Sequence, residues 1–157
     1  MQTNVPIEIL PIEDDGFHLM IRAKINGKKA NLIIDTGASR TVFDETLIKN
    51  YLPEEYDNFE TNEKLSTGLG TNTMKSSAFN LKSLKIGDLN IKNYIAVILD
   101  LTNINDSYTL LGLPKIHGVI GGDLLSKYKA VIYYKAKKLK LTYNETPRRR
   151  ATGYQLE

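Results

Sequence analysis

The chain has no cysteine, which excludes disulfide bridges, thiolate metal sites and thiol nucleophiles together and gives no sign of an oxidising compartment. Tryptophan is absent too, and histidine occurs only as His18 and His117, without a His-x-x-x-His spacing. No metal site is therefore expected, and both rings read as isolated, partly exposed surface groups. No apolar run reaches the length that crosses a bilayer, and residues 1–8 lack the basic start and apolar core of an export signal. These absences predict a cytoplasmic protein with no membrane partner. The serines have no nucleophile-elbow context, and Gly68 and Gly70 are not followed by the Lys-Ser or Lys-Thr of a phosphate loop, so no cofactor is expected.

What is there, 157 residues, suffices for one domain with a real core and no staples. The domain is placed at residues 1–143, followed by a polar, basic tail at 144–157. The net charge of +3 is unevenly spread: between residues 127 and 150 six Lys and three Arg stand against Glu145 alone, a balance of +8 that leaves −5 elsewhere. Lys135, Lys137, Lys138 and Lys140 flank a predicted hairpin and read as its solvated face, not as a nucleic-acid surface. Arg148, Arg149 and Arg150 are too few to make a phosphate-binding tract.

Strand patterns dominate the rest. Residues 5–12 alternate around Pro6 and Pro11 as a single edge strand. Phe17, Leu19, Ile21 and Ala23 share one face of the next strand, and Asn26-Gly27 signals a two-residue hairpin leading into a return strand at 29–34. Residues 42–48 read as a brief strand and a short helical stretch ending near Asn50, and 51–64 as a polar loop. Two further strands, 78–84 and 89–99, meet at a Gly87-Asp88 turn; 101–114 is an irregular connection, 119–121 a core strand, and 123–128 a helix. Residues 131–134 and 139–143 make the closing hairpin. Short strands at this even spacing predict an all-β domain, not a parallel α/β sheet.

Within this pattern Leu32, Ile33 and Ile34 form an unbroken apolar run, as in a strand covered on both faces, and the run ends in Asp35-Thr36-Gly37-Ala38-Ser39. Gly37 gives the backbone freedom for a sharp reversal. The strand should deliver Asp35 to a buried or half-buried edge, where N–H groups near Gly37 and Ala38 and the hydroxyls of Thr36 and Ser39 can hold its carboxylate. An Asp and a Gly closing an ordinary turn is the plainer reading of the tripeptide alone. Its context decides: Leu32-Ile33-Ile34-Asp35-Thr36-Gly37-Ala38-Ser39 resembles the catalytic motif of the retropepsin-like aspartic proteases. Val119-Ile120-Gly121 resembles the second landmark of that family, with Gly122-Asp123-Leu124-Leu125 opening a short helix. Ser66-Thr67-Gly68-Leu69-Gly70-Thr71 resembles the tip of its flap hairpin. The likeness spans residues 15–143 and extends to the bacterial single-domain members, which often carry an Asp where this chain has Tyr133 or Tyr134.

The resemblance implies a closed β-barrel with a flap hairpin and one short C-terminal helix, and an aspartic endopeptidase that activates water between two carboxylates. Because the chain holds a single Asp-Thr-Gly, it further implies a homodimer in which each copy contributes Asp35, acting on a peptide or protein substrate. It assigns the catalytic motif to Asp35, Thr36 and Gly37, the first doing the chemistry and the others supporting it. Gly68, Leu69 and Gly70 become a lid over the peptide, and Ala38, Val119 and Ile120 substrate contacts. Asp123, not followed by Thr-Gly, reads as the N-cap of its helix and not as a second catalytic carboxylate. The alternative is a module of the same fold kept for peptide binding or dimerisation, with weak or no catalysis.

Overall fold

The computed structural model describes residues 1–52, 60–61 and 77–144, with the backbone alone at 60–61. The expected lid residues Gly68, Leu69 and Gly70 and the tail beyond 144 lie outside the described residues.

Asn26 and Gly27 both adopt left-handed backbone angles, φ 50° and 83°, which is the two-residue turn that matches the twist of an antiparallel pair. That turn joins strands β3 (Gly16–Ile25) and β4 (Lys28–Ile34) and sets their register from Ile25↔Lys28 to Leu19↔Ile34. Strand β9 (Gly118–Ile120) lies parallel to β4 and separates it from β5 (Val42–Asp44). Strand β8 (Leu89–Leu99) then pairs with β5, and β7 (Ser77–Ile86) pairs with β8 through the Gly87-Asp88 turn. Because β7 also returns to β3, through Lys24↔Lys85 and Ile25↔Leu84, six strands close into a barrel in the order β3, β4, β9, β5, β8, β7. Closure leaves those strands without an open edge. Strands β2 (Glu8–Ile12) and β6 (Glu60–Thr61) extend the sheet beyond the barrel, and β1 (Gln2–Pro6), β11 (Lys138–Thr142) and β10 (Val131–Tyr133) form a separate three-stranded sheet.

Period-two alternation divides the apolar side chains between two cores. Leu19, Ile21, Ala23 and Ile25 of β3 and Leu32 and Ile34 of β4 fill the barrel with Phe43, Leu84 and Ile98. Met20 and Ile33 face the other way, into a second core with Val42, Val97, Tyr108, Ile116 and Val119. The run Leu32-Ile33-Ile34 is therefore buried on both faces. Each such aliphatic side chain contributes about 1.5–3 kcal/mol over leaving it in water, so the strand that carries Asp35 is among the best-anchored segments of the chain.

Several local expectations change. Residues 5–12 are not one strand: the chain breaks between Pro6 and Glu8, where Ile7 N–H donates to Lys137 C=O at 2.9 Å, and the two halves join different sheets. Phe17 does not share the core face of Leu19, since it lies past the barrel ladder, opposite Pro11, and stays exposed. The expected irregular connection at 101–114 contains helix α2 (Thr102–Leu110), added to α1 (Glu45–Ile48) and α3 (Gly122–Lys127). Its Thr, Asn, Asp and Ser residues are weak helix formers, and tertiary contacts compensate. Buried Asn105 accepts Ile116 N–H at 2.8 Å and donates to Ile116 C=O at 3.1 Å. Asp100 Oδ1 accepts Thr102 N–H at 2.9 Å and the Thr102 hydroxyl, which hold its carboxyl below the usual range. His117 is half-buried but not isolated, because its backbone bridges strands: His117 N–H donates to Asn31 C=O and Asp44 N–H to His117 C=O, both at 2.8 Å.

Among the described residues no helix is long and apolar enough to cross a membrane.

Candidate active site

Strand β4 ends where the barrel ends. Asp35 N–H still donates to Ile120 C=O at 2.9 Å, continuing the parallel ladder with β9 by one rung. Beyond it the chain must pass over β9 to reach β5, and residues 35–41 make that crossing. Gly37 N–H turns back onto Asp35 Oδ1 at 2.9 Å, and Ala38 N–H onto Asp35 C=O at 3.2 Å, closing the turn.

The crossing is clamped from below by the start of α3. Gly122 N–H donates to Ala38 C=O at 2.7 Å and Asp123 N–H to Ser39 C=O at 3.1 Å. Gly121 is forced by this packing: a Cβ there would stand 2.5 Å from Arg40 O and 2.9 Å from Ala38 O. The pattern of two apolar residues and a glycine thus has a steric cause, the close approach of the Asp35 turn to the end of β9.

Asp123 does not cap its own helix. Gly121 is the N-cap residue, without a side-chain bond, and the Asp123 carboxylate reaches to the end of the crossing instead. Its Oδ1 accepts Thr41 N–H at 2.9 Å and the Thr41 hydroxyl at 2.7 Å, while Oδ2 accepts the Tyr94 hydroxyl at 3.1 Å. Thr41 Oγ1 in turn accepts Gly121 N–H at 3.0 Å. Burial and the adjacent Asp123 charge push the Tyr94 hydroxyl well above the ordinary phenol range, so it stays protonated as a donor. These bonds pin both ends of the segment between the Asp35 turn and β5.

Asp35 itself is exposed, as are Thr36 and Gly37; Ala38 is half-buried. The expectation of a buried or half-buried carboxylate does not hold within one copy, because β4 runs out of the barrel at Ile34 and the crossing lies on its rim. Asp35 and Thr36 border a cleft of about 330 Å³. Its walls come from β3 (Phe17, His18, Leu19), β4 (Ile33, Ile34), α2 (Ile104, Tyr108), Ile116, β9 (Val119) and the closing hairpin (Ile132, Tyr134). Of the expected substrate contacts, Val119 lines this cleft, whereas Ile120 points into the barrel core at 1% exposure.

Sequence reasoning missed Phe17, His18, Ile104 and Tyr108 as cleft residues. For His18 the signal existed. A two-residue turn at Asn26-Gly27 dictates Ile25↔Lys28, and counting outward reaches Leu19↔Ile34, with His18 and Asp35 next. His18 is not isolated either, since its Nδ1 lies 2.6 Å from the Tyr108 hydroxyl. Ile104 and Tyr108 had no such signal, because the helix carrying them depends on distant contacts.

Among the described residues no group of three His, Asp or Glu side chains converges as a metal site would require. The sequence profile of a family described as aspartyl protease matches residues 21–124. In three dimensions the chain is similar to a retropepsin-like aspartic protease from Rickettsia conorii, at 19% identity and a TM-score of 0.54, over 91% of this chain and 90% of that one. It is also similar to the retroviral protease-like domain of Ddi1 from Leishmania major, at 12% identity and a TM-score of 0.55, over 79% of this chain and 87% of that one. No curated protein sequence matches it. The likeness shows a retropepsin-like fold.

Proposed function

The chain belongs to the aspartyl protease family, and from that premise we propose that residues 1–143 form an aspartic endopeptidase that works as a twofold homodimer. The observation that carries the reading is Asp35, an exposed carboxylate at the end of a buried strand, oriented by Gly37 N–H and opening on a cleft walled by apolar side chains together with His18, Tyr108 and Tyr134. Two such carboxylates about 3 Å apart cannot both ionise cheaply, so one keeps its proton. The ionised Asp35 takes a proton from the attacking water while the protonated one donates to the substrate carbonyl. Water is the nucleophile and no covalent intermediate forms.

Asp123 is a poor source of the second carboxylate, because both its oxygens are engaged by Thr41 and Tyr94. A second copy is the economical source. In support, among the described residues β10 is an edge strand of the three-stranded sheet, Val131 and Tyr133 are partly exposed on it, and exposed Tyr134 adjoins the cleft. A partner copy would cover that apolar edge. Thr36 would then bond across the axis, and Gly68, Leu69 and Gly70 would close over the peptide.

Sedimentation at micromolar concentration, paired with cleavage of a mixed peptide library from acid to neutral pH, tests the proposal. The expected result is a dimer whose activity is bell-shaped in pH, as a coupled pair requires, and is lost in an Asp35→Asn protein that still dimerises. Equal cleavage by the purified variant, or a strictly monomeric species that cleaves, overturns it.

A further inference from the structure

His18 has no part in the hydrolytic step, yet it stands in the wall of the cleft. The β3–β4 register ends at Leu19↔Ile34, and one residue further on each strand are His18 and Asp35, both bordering the same space. The His18 side chain is exposed, and its Nδ1 lies 2.6 Å from the hydroxyl of Tyr108, with ring centroids 5.8 Å apart. Tyr108 is 3% exposed and belongs to α2, which Asn105 fastens to Ile116. The His18 ring is thus held by a rigid element. A tyrosine hydroxyl can donate to a bare ring nitrogen or accept from a protonated one, so the contact survives either charge state and leaves Nε2 as the remaining polar atom of the ring. Around it the walls are apolar, from Phe17, Leu19, Ile33, Ile104 and Ile116.

We propose that His18, held by Tyr108, is a specificity-determining residue that receives the side-chain carboxamide of a glutamine placed next to the cleaved bond. The inference rests on the hydrolytic reading of Asp35. Apolar walls around the His18 ring, in a cleft whose other polar side chains include Asp35 and Thr36 at its border, favour a ligand with an apolar stem and a matching polar tip, and the two methylenes of glutamine supply the stem. A carboxamide can accept from or donate to Nε2, whichever the ring's state demands. Glutamate is disfavoured because its charge would enter a cleft that already holds the Asp35 carboxylate.

The test starts from a peptide that the protein cleaves, remade with Gln, Met or Glu at each position flanking the cleaved bond; Met matches Gln in length without its hydrogen bonds. At one position kcat/KM should favour Gln over Met by roughly fivefold, the size of one net hydrogen bond, and should favour Gln over Glu. His18→Leu should bring the Gln-to-Met ratio to about one, and Tyr108→Phe should lower it part-way, since the ring loses its anchor. A second arm needs no cleavage: fluorescence anisotropy with the same peptides should give the Gln preference in Asp35→Asn protein and lose it in Asp35→Asn combined with His18→Leu. A ratio unchanged by His18→Leu, a preference for Met or Glu, or no binding to the Asp35→Asn protein overturns the assignment. Preferential binding without Asp35-dependent cleavage would remove the hydrolytic reading and keep His18 as the recognition residue. Asp35-dependent cleavage without the preference would do the reverse.

Discussion

Thr41 and Asp123, 82 residues apart, are joined twice: the backbone N–H and the hydroxyl of Thr41 both donate to one oxygen of Asp123, at 2.9 and 2.7 Å. Thr41 is fully buried, so these groups have no water to fall back on. The pair fixes the far end of the crossing that begins at Asp35, and through Tyr94 ties it to β8.

Asp123→Ala should therefore cost about 2–4 kcal/mol, since it orphans buried donors and breaks a network. Asp123→Asn keeps one acceptor and should cost about half of that. Urea unfolding of the two variants measures the difference. Equal midpoints for Asp123→Ala and the parent would mean that the network contributes nothing.

Replacing Gly121 by Ala should loosen the Asp35 turn from beneath. The new methyl meets backbone atoms of Arg40 and Ala38, which cannot rotate away as a side chain could. Destabilisation of about 1–3 kcal/mol is expected, with a larger fractional loss of peptide cleavage. Gly27→Ala is the control: its φ of 83° makes an Ala strained, but nothing lies within 4 Å. It should cost about 1 kcal/mol and spare activity.

His117 should make the fold acid-sensitive. Burial pushes its imidazole, whose Nδ1 accepts Asn31 N–H at 2.9 Å, below the ordinary 6.5, and the nearby Asp44 charge opposes the shift without cancelling it. As pH falls through 6.5 the unfolded chain takes up a proton that the folded chain resists. The unfolded state then binds more protons, so this contribution to stability is complete above 6.5 and is lost as pH falls toward the depressed folded value. Urea midpoints at several pH values should slope less in His117→Gln than in the parent. Parallel slopes would show that another group carries the acid sensitivity.

Asn105→Ala should release α2 from the strand that follows it. Two buried hydrogen bonds to Ile116 disappear and both backbone groups are left unpaired, a loss of about 2–4 kcal/mol. Hydrogen exchange should quicken across residues 102–110 before it does in β4. Unchanged protection there would mean that α2 is held by its apolar face alone.

Much of the frame was written in short-range pattern. The Asn26-Gly27 turn, the double-faced apolar run of β4 and the hairpin of β7 and β8 each depend on residues a few positions apart, which is the range over which propensity and period act. The position of Asp35 at a strand end follows from them, and so does its neighbour His18, once the register is counted outward from the turn. What the tertiary structure alone decided has a common physical character. Helix α2 forms against its own propensities because Asn105 finds Ile116; the edge segment splits at Pro6 because Ile7 finds Lys137. Asp123 turns from its own helix end to Thr41, and His117 is drawn inward because its backbone bridges Asn31 and Asp44. In each case a polar group had two outlets of similar strength, one local and one distant. The distant one prevailed because the fold brings it to a buried partner, Ile116, Ile7, Thr41 or Asp44, where an unmade hydrogen bond costs most.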